Sequence, residues 1–128
     1  MAEKKTKAIL LVDHGSVRQE ANDMLGSISR LVAREAPSYH VEHAHMELAE
    51  PDIEQGFAAC VAAGAEEVIV HPYMLGPGRH STEDIPRIVR DAASKHHGVT
   101  FRVTAPLGVD ERLARIIIDR VEEGKGGP

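Results

Sequence analysis

Among the 128 residues there is a single cysteine, Cys60, which excludes an internal disulfide and any cluster held by four thiolates of one chain. Aromatic residues are scarce, at 3%, so a subunit interface would have to be aliphatic. No basic tract beyond Lys4, Lys5 and Lys7 interrupts a net charge of −5, which argues against sequence-general nucleic-acid binding. The longest apolar run, Ala8 to Val12, is far too short to span a bilayer. The N-terminal MAEKKTK leads into no signal-peptide core and no small-residue cleavage site. A cytoplasmic protein without membrane or nucleic-acid partners is expected. The Walker lysine pattern, the dinucleotide glycine fingerprint and the G-x-S-x-G elbow are all missing, which removes the usual nucleotide and serine-hydrolase readings.

What is present is a globular mixture, 42% hydrophobic and 27% charged, of a size that buries a core without metal or disulfide. Lys7 to Asp13 reads as a strand ending in His-Gly-Ser, followed by a helix with Ala21, Leu25, Ile28, Leu31 and Val32 on one face and Pro37 beyond its end. Tyr39 to Leu48 alternates as a second strand. Pro51 suits the first turn of a second helix, which carries Ile53, Phe57, Cys60 and Val61 and is closed by Gly64. Val68 to His71 is a buried-type strand, and the irregular MLGPGRHS leads to a third helix from Thr82. Val99 to Ala105 is a fourth strand, and Leu113, Ile116, Ile117 and Val121 mark a last helix. The order βαβαβαβα predicts one doubly wound α/β domain over residues 7–123, with a four-stranded parallel sheet in the order 2-1-3-4 and helices on both faces. Residues 1–6 and 124–128 are expected to be flexible ends.

In such a sheet the ligand site lies beyond the carboxyl ends of the strands, where strand order reverses. His14 directly follows the first strand, Glu47 follows the second, and His80 closes the loop after the third. Three metal-competent side chains from separated segments therefore converge on one rim. Each alone has a plain structural role: a strand-end cap for His14, a loop residue for His80, a helix-start acid for Glu47. His43 and His45 share a strand face with Glu47 and are candidates to join the site. His40, His96 and His97 read as solvent-facing, His71 and Cys60 as structural, and Ser16 as an aid to starting the first helix. With eight histidines and one cysteine, metal chemistry here points to imidazole and carboxylate.

Three segments, LLVDHGSVRQEAN, HAHMELAEPDI and VIVHPYMLGPGRHSTEDIP, resemble those of the small, single-domain sirohydrochlorin chelatases, class II tetrapyrrole chelatases that insert iron or cobalt. The likeness runs from about Ala8 to Val121, and TAPLG at Thr104 to Gly108 fits it as well. The resemblance implies that His14 is proton acceptor and metal ligand, that His80 is the second ligand, and that Glu47 assists at the metal or in proton removal. It also implies that Leu75, Gly76, Pro77, Gly78 and Arg79 lie against the macrocycle. Val17 departs from the pattern, which often has a basic residue after His-Gly-Ser, while Arg18 keeps the next basic position for a substrate carboxylate. The implied substrates are a sirohydrochlorin-type tetrapyrrole and a divalent metal (Fe2+, Co2+ or Ni2+), with no tightly bound cofactor and a homodimer as the assembly. A non-catalytic metal or tetrapyrrole carrier using the same pocket is the alternative.

Overall fold

A computed structural model describes residues 5–124; the parts of the expected flexible ends at 1–4 and 125–128 lie outside the described residues. Four parallel strands, β1 (Lys7–Asp13), β2 (His40–His45), β3 (Glu67–Pro72) and β4 (Thr100–Val103), are ordered β2-β1-β3-β4. They alternate with four helices, α1 (Gln19–Glu35), α2 (Ile53–Ala62), α3 (Ile85–Ala93) and α4 (Glu111–Glu123). The doubly wound order is the predicted one. β1 is central because both its faces are apolar: Ala8, Leu10 and Val12 point to one side and Ile9 and Leu11 to the other.

The main core lies on the first of these faces. Leu10, Val12, Val68 and Val70 meet Ile53, Phe57 and Cys60 of α2 and Ile85 and Val89 of α3, all of them fully or almost fully buried. α1 covers β1 and β2 on the opposite face. Its buried stripe is Asn22, Leu25, Gly26 and Ser29, rotated from the aliphatic stripe expected, so Leu31 is left exposed. Gly26 faces the ring of His43, where an added Cβ would make ordinary contact at 3.6 Å, and Ser29 satisfies its hydroxyl on the Leu25 carbonyl at 2.9 Å.

Several local expectations shift. β2 ends at His45 and not at Leu48, which lies in the following loop with φ 71°. Pro51 stands outside α2, joined to Glu50 by a cis peptide. Asp52 is the N-cap, and its carboxylate and the Gln55 side chain satisfy each other's backbone N–H groups. Gly64, at φ 105°, follows the C-cap as expected. The third helical segment starts earlier than Thr82, with a π-helical turn over His80–Asp84 that runs directly into α3. α4 has the expected aliphatic residues but buries none. Among the described residues no helix is long and apolar enough to cross a membrane.

Candidate functional site

β1 delivers His14 to the rim of the sheet, and the chain turns there on Gly15. Gly15 has φ 92°, and a Cβ on it would lie 1.8 Å from the Glu47 carbonyl oxygen, so only glycine permits this crossing. Two backbone bonds lace the loop after β2 onto the end of β1: Met46 N–H to the Asp13 carbonyl at 2.9 Å, and Glu47 N–H to the His14 carbonyl at 3.1 Å. As a result His14 Nε2 lies 3.5 Å from Glu47 Oε1. From the other side comes His80, whose ring centroid is 4.7 Å from that of His14 in an edge-to-face arrangement. His14 thus sits between the other two, and all three side chains are about half exposed.

His80 is further constrained by Asp84, one helical turn on, whose Oδ2 lies 2.9 Å from His80 Nδ1. Donation of the Nδ1 proton to Asp84 leaves Nε2 as the lone-pair nitrogen available to an ion. This bond, supplemented by Arg87 Nη2 at 3.5 Å, holds the Asp84 carboxyl below the ordinary carboxylate range. In the sequence Asp84 is only an acid near a helix start; the spacing of four from His80 is the signal that pairs them.

His43 and His45 do not join this cluster. His45 is almost completely buried, with Nδ1 2.6 Å from Asp13 Oδ1, and it pins the ends of β1 and β2 together. Both histidines line a separate polar cleft of about 340 Å³ with Asn22, Asp23, Arg30 and Glu50. His43 is lowered from the usual histidine value by burial and by neighbouring His45. His71 bonds the Thr104 hydroxyl at 2.8 Å, in keeping with a structural role. His40 is half-buried against Glu42, and His96 lies against Phe57, so neither is simply solvent-facing. Burial pushes the Cys60 thiol up to about 12, which suits a core residue. Ser16 Oγ accepts from Arg18 N–H just before α1 at 3.0 Å.

The loop Leu75 to Arg79 stands exposed beside the histidines, and around Gly76 and Gly78 there is open space. Its base is fixed by the segment Thr104 to Gly108: Leu107 N–H donates to the Met74 carbonyl at 3.0 Å and Gly108 N–H to that of Leu75 at 2.8 Å. Its far end is folded onto the π-helical turn, where the Gly78 carbonyl accepts from Thr82. Arg18 is exposed at the start of α1, and Arg79 pairs with Glu83 at 3.7 Å. Large exposed apolar side chains, Val17, Met24, Leu48 and Leu75, come from the same segments as the site. Met24, Leu25, Tyr73 and Met74 form a mainly apolar cleft beside His14. Among the described residues, no three His, Cys, Asp or Glu side chains converge closely enough to hold a metal ion together. The rim therefore offers an ion a pair of imidazoles with a nearby carboxylate, an open arrangement from which it can leave.

A family model described as CbiX matches residues 8–124. The chain is 44% identical over 114 residues to the chloroplastic sirohydrochlorin ferrochelatase of Arabidopsis thaliana, across 89% of this chain and 51% of that protein. It superposes with a TM-score of 0.85 and 31% identity on the sirohydrochlorin chelatase of Bacillus subtilis subspecies spizizenii in complex with cobalt, covering 92% of this chain and 50% of that one. A putative cobalamin biosynthesis CbiX protein from Marinobacter aquaeolei matches with a TM-score of 0.74 and 30% identity, over 91% of this chain and 95% of that one. The chain spans about half the length of the first two relatives.

Proposed function

The chain belongs to the CbiX family, and from that premise we propose that it is a cytoplasmic enzyme that inserts divalent iron or cobalt into sirohydrochlorin, serving siroheme or cobalamin synthesis. The observation that carries this reading is the His14–His80 pair, 4.7 Å apart on an open rim, with Glu47 beside it and exposed apolar side chains around it. Metallation requires loss of two pyrrole protons and stepwise exchange of the metal's ligands for ring nitrogens. A neutral imidazole accepts protons near neutral pH, and His14 takes that role once its lone pair has released the ion to the ring, passing the two pyrrole protons in turn to solvent, with Glu47 relaying each proton or steadying the ion beforehand.

His14 and His80 hold the incoming ion, which is a substrate and not a resident cofactor. Two imidazoles and a carboxylate suit iron, cobalt or nickel without completing a cage, so the ion is released to the ring. Leu75, Gly76, Pro77, Gly78 and Arg79 lie against the macrocycle. Arg18, Arg79 and Arg87 meet its carboxylates; two of these arginines already lean on Glu83 and Asp84, which orients them and tempers their charge. The assembly is a homodimer.

Anaerobic incubation with sirohydrochlorin and each metal, followed by absorption, tests this. His14→Ala and His80→Ala are each expected to slow insertion by about a hundred- to ten-thousand-fold with the fold intact by circular dichroism, while His97→Ala, far along the chain, leaves the rate unchanged. Wild-type insertion no faster than the metal-only control would instead make the protein a carrier.

A further inference from the structure

Strand alternation puts His43 and His45 on the face of β2 that α1 covers, with Ala44 between them turned to the main core. β2 is an edge strand, so no further strand closes the seam between it and α1, and the polar cleft of about 340 Å³ lies in that seam. Aliphatic side chains at these two positions would bury apolar area against the helix; the chain places two imidazoles there instead. The strand clasp accounts for one nitrogen only. His45 is 2% exposed, and its Nδ1 donates to Asp13 Oδ1 at 2.6 Å. That proton position leaves Nε2 as the lone-pair nitrogen of a ring that lines the cleft, and no described residue hydrogen-bonds to it.

His43 adds a second imidazole. Its Cε1–Nε2 edge faces Gly26, 3.6 and 3.8 Å from where a Cβ would stand, so no side chain on that residue covers the nitrogen. The two ring centres are 5.9 Å apart, with the rings inclined at 71°. An ion about 2.1 Å from one nitrogen of each ring requires centres no more than roughly 6.5 Å apart, so the separation admits a shared ion. Asp23, Glu50 and Arg30 also line the cleft, two carboxylates to one guanidinium, and Arg30 Nη2 is turned to the Ser27 hydroxyl at 3.1 Å. The balance favours a cation. His45 also repeats the construction at His80, an imidazole with a carboxylate behind its Nδ1, which is the arrangement that orients metal-ligating histidines.

We propose that this cleft holds a divalent transition-metal ion, distinct from the one taken up at the His14–His80 rim, through Nε2 of His43 and of His45, with water completing its shell. Imidazole selects borderline ions such as Co2+, Ni2+ and Zn2+ over hard Mg2+ and Ca2+. Among the described residues no third side-chain donor converges here, so Asp23 and Glu50 act through their charge and through bound water, and the ion is held loosely enough to exchange. The site stands whether or not the rim performs insertion.

Equilibrium dialysis of the tetrapyrrole-free protein against cobalt tests the cleft. The wild type is expected to bind two ions per chain, the variant with His14→Ala and His80→Ala to keep one, and the addition of His43→Ala to that variant to remove it. In the double variant the NMR signals of the His43 and His45 rings are expected to broaden as paramagnetic cobalt is added, and zinc but not magnesium is expected to displace it. The ring signals are read on a chain that keeps both cleft histidines, so they test the site even if His43→Ala disturbs the fold. A double variant that binds no cobalt, a His43→Ala substitution that leaves the ion in place, or broadening confined to His40, His96 and His97 would overturn the cleft site. If the wild type and the double variant both bind one ion, lost with His43→Ala, the cleft site stands and the metal role of the rim falls.

Discussion

An exposed imidazole offers two nitrogens to its surroundings until one of them is engaged, and at His80 Asp84 engages Nδ1. The histidine itself was recognisable from sequence and its partner was not, because an acid near a helix start has a sufficient electrostatic reason to be there. Gly15 is the reverse case: His-Gly-Ser could be read as a turn, but the contact that demands glycine is with Glu47, 32 residues along the chain. Gly15→Ala must accept a left-handed backbone and also displace the Glu47 carbonyl. It is expected to cost more than about 2 kcal/mol in urea unfolding and to slow insertion, since the same displacement separates His14 from Glu47. His71 supplies a pH dependence. Burial lowers it from the ordinary histidine value of 6.5, outweighing the pull of the Ala105 backbone, and its buried Nε2 finds no hydrogen-bond partner among the described residues. Below pH 6.5 the unfolded chain binds the proton that the folded chain resists, so the stabilisation is complete above that pH and is lost as pH falls toward the lowered folded value. Urea midpoints measured from pH 7.5 down to 5.5, a span of about one unit either side of the ordinary value, should fall. The slope should be shallower in His71→Asn, with His43, also lowered by burial, retaining part of it.

α2 shows how an element can be legible in its body and misread at its end. Ile53, Phe57 and Cys60 recur at helical spacing and are all buried, because that period places them on one face whatever the tertiary context. Its start was assigned to Pro51, a residue that suits a first helical turn, whereas Asp52 and Gln55 form the capping box. An acid followed three residues later by Gln was the available signal. Asp52→Ala should lower stability by about 1 kcal/mol, read as a shifted urea midpoint with unchanged slope, while metal insertion per folded molecule is retained. The third helical segment was misplaced for a related reason. Hydrophobic periodicity begins at Ile85, but the chain is already coiled from His80, where a π-helical turn positions His80 and Asp84 on neighbouring turns. Polar residues at a helix start carry no period, so that onset had to come from the structure.

At the scale of the molecule, the proposed function asks a chain of net charge −5 to attract a polyanionic tetrapyrrole through a few local cations on the site rim. Tetrapyrrole affinity should therefore weaken as salt is raised from about 50 to 300 mM, because ionic screening shortens the reach of those arginines, and should change little under mild acid, since guanidinium stays charged. Cobalt affinity should respond the other way: nearly indifferent to salt and falling with acid, because an imidazole must lose its proton to bind a metal. Separate titrations of cobalt and of metal-free sirohydrochlorin check both; cobalt binding that is flat with pH would move the anchor from the histidines to carboxylates. The alternation of strand and helix, the strand order and the gathering of His14, Glu47 and His80 on one rim were all determined by the sequence, because hydrophobic period sets element type and the right-handed crossover sets order. Tertiary structure alone decided the rest. It sent His45 inward to Asp13 and separated it and His43 from the site, although the strand alternates them with the same parity as Glu47, because β2 ends at His45 and the chain leaves the pleat before Glu47. It also left α4 unburied, because an amphipathic stripe records that a helix must be covered and not which surface covers it.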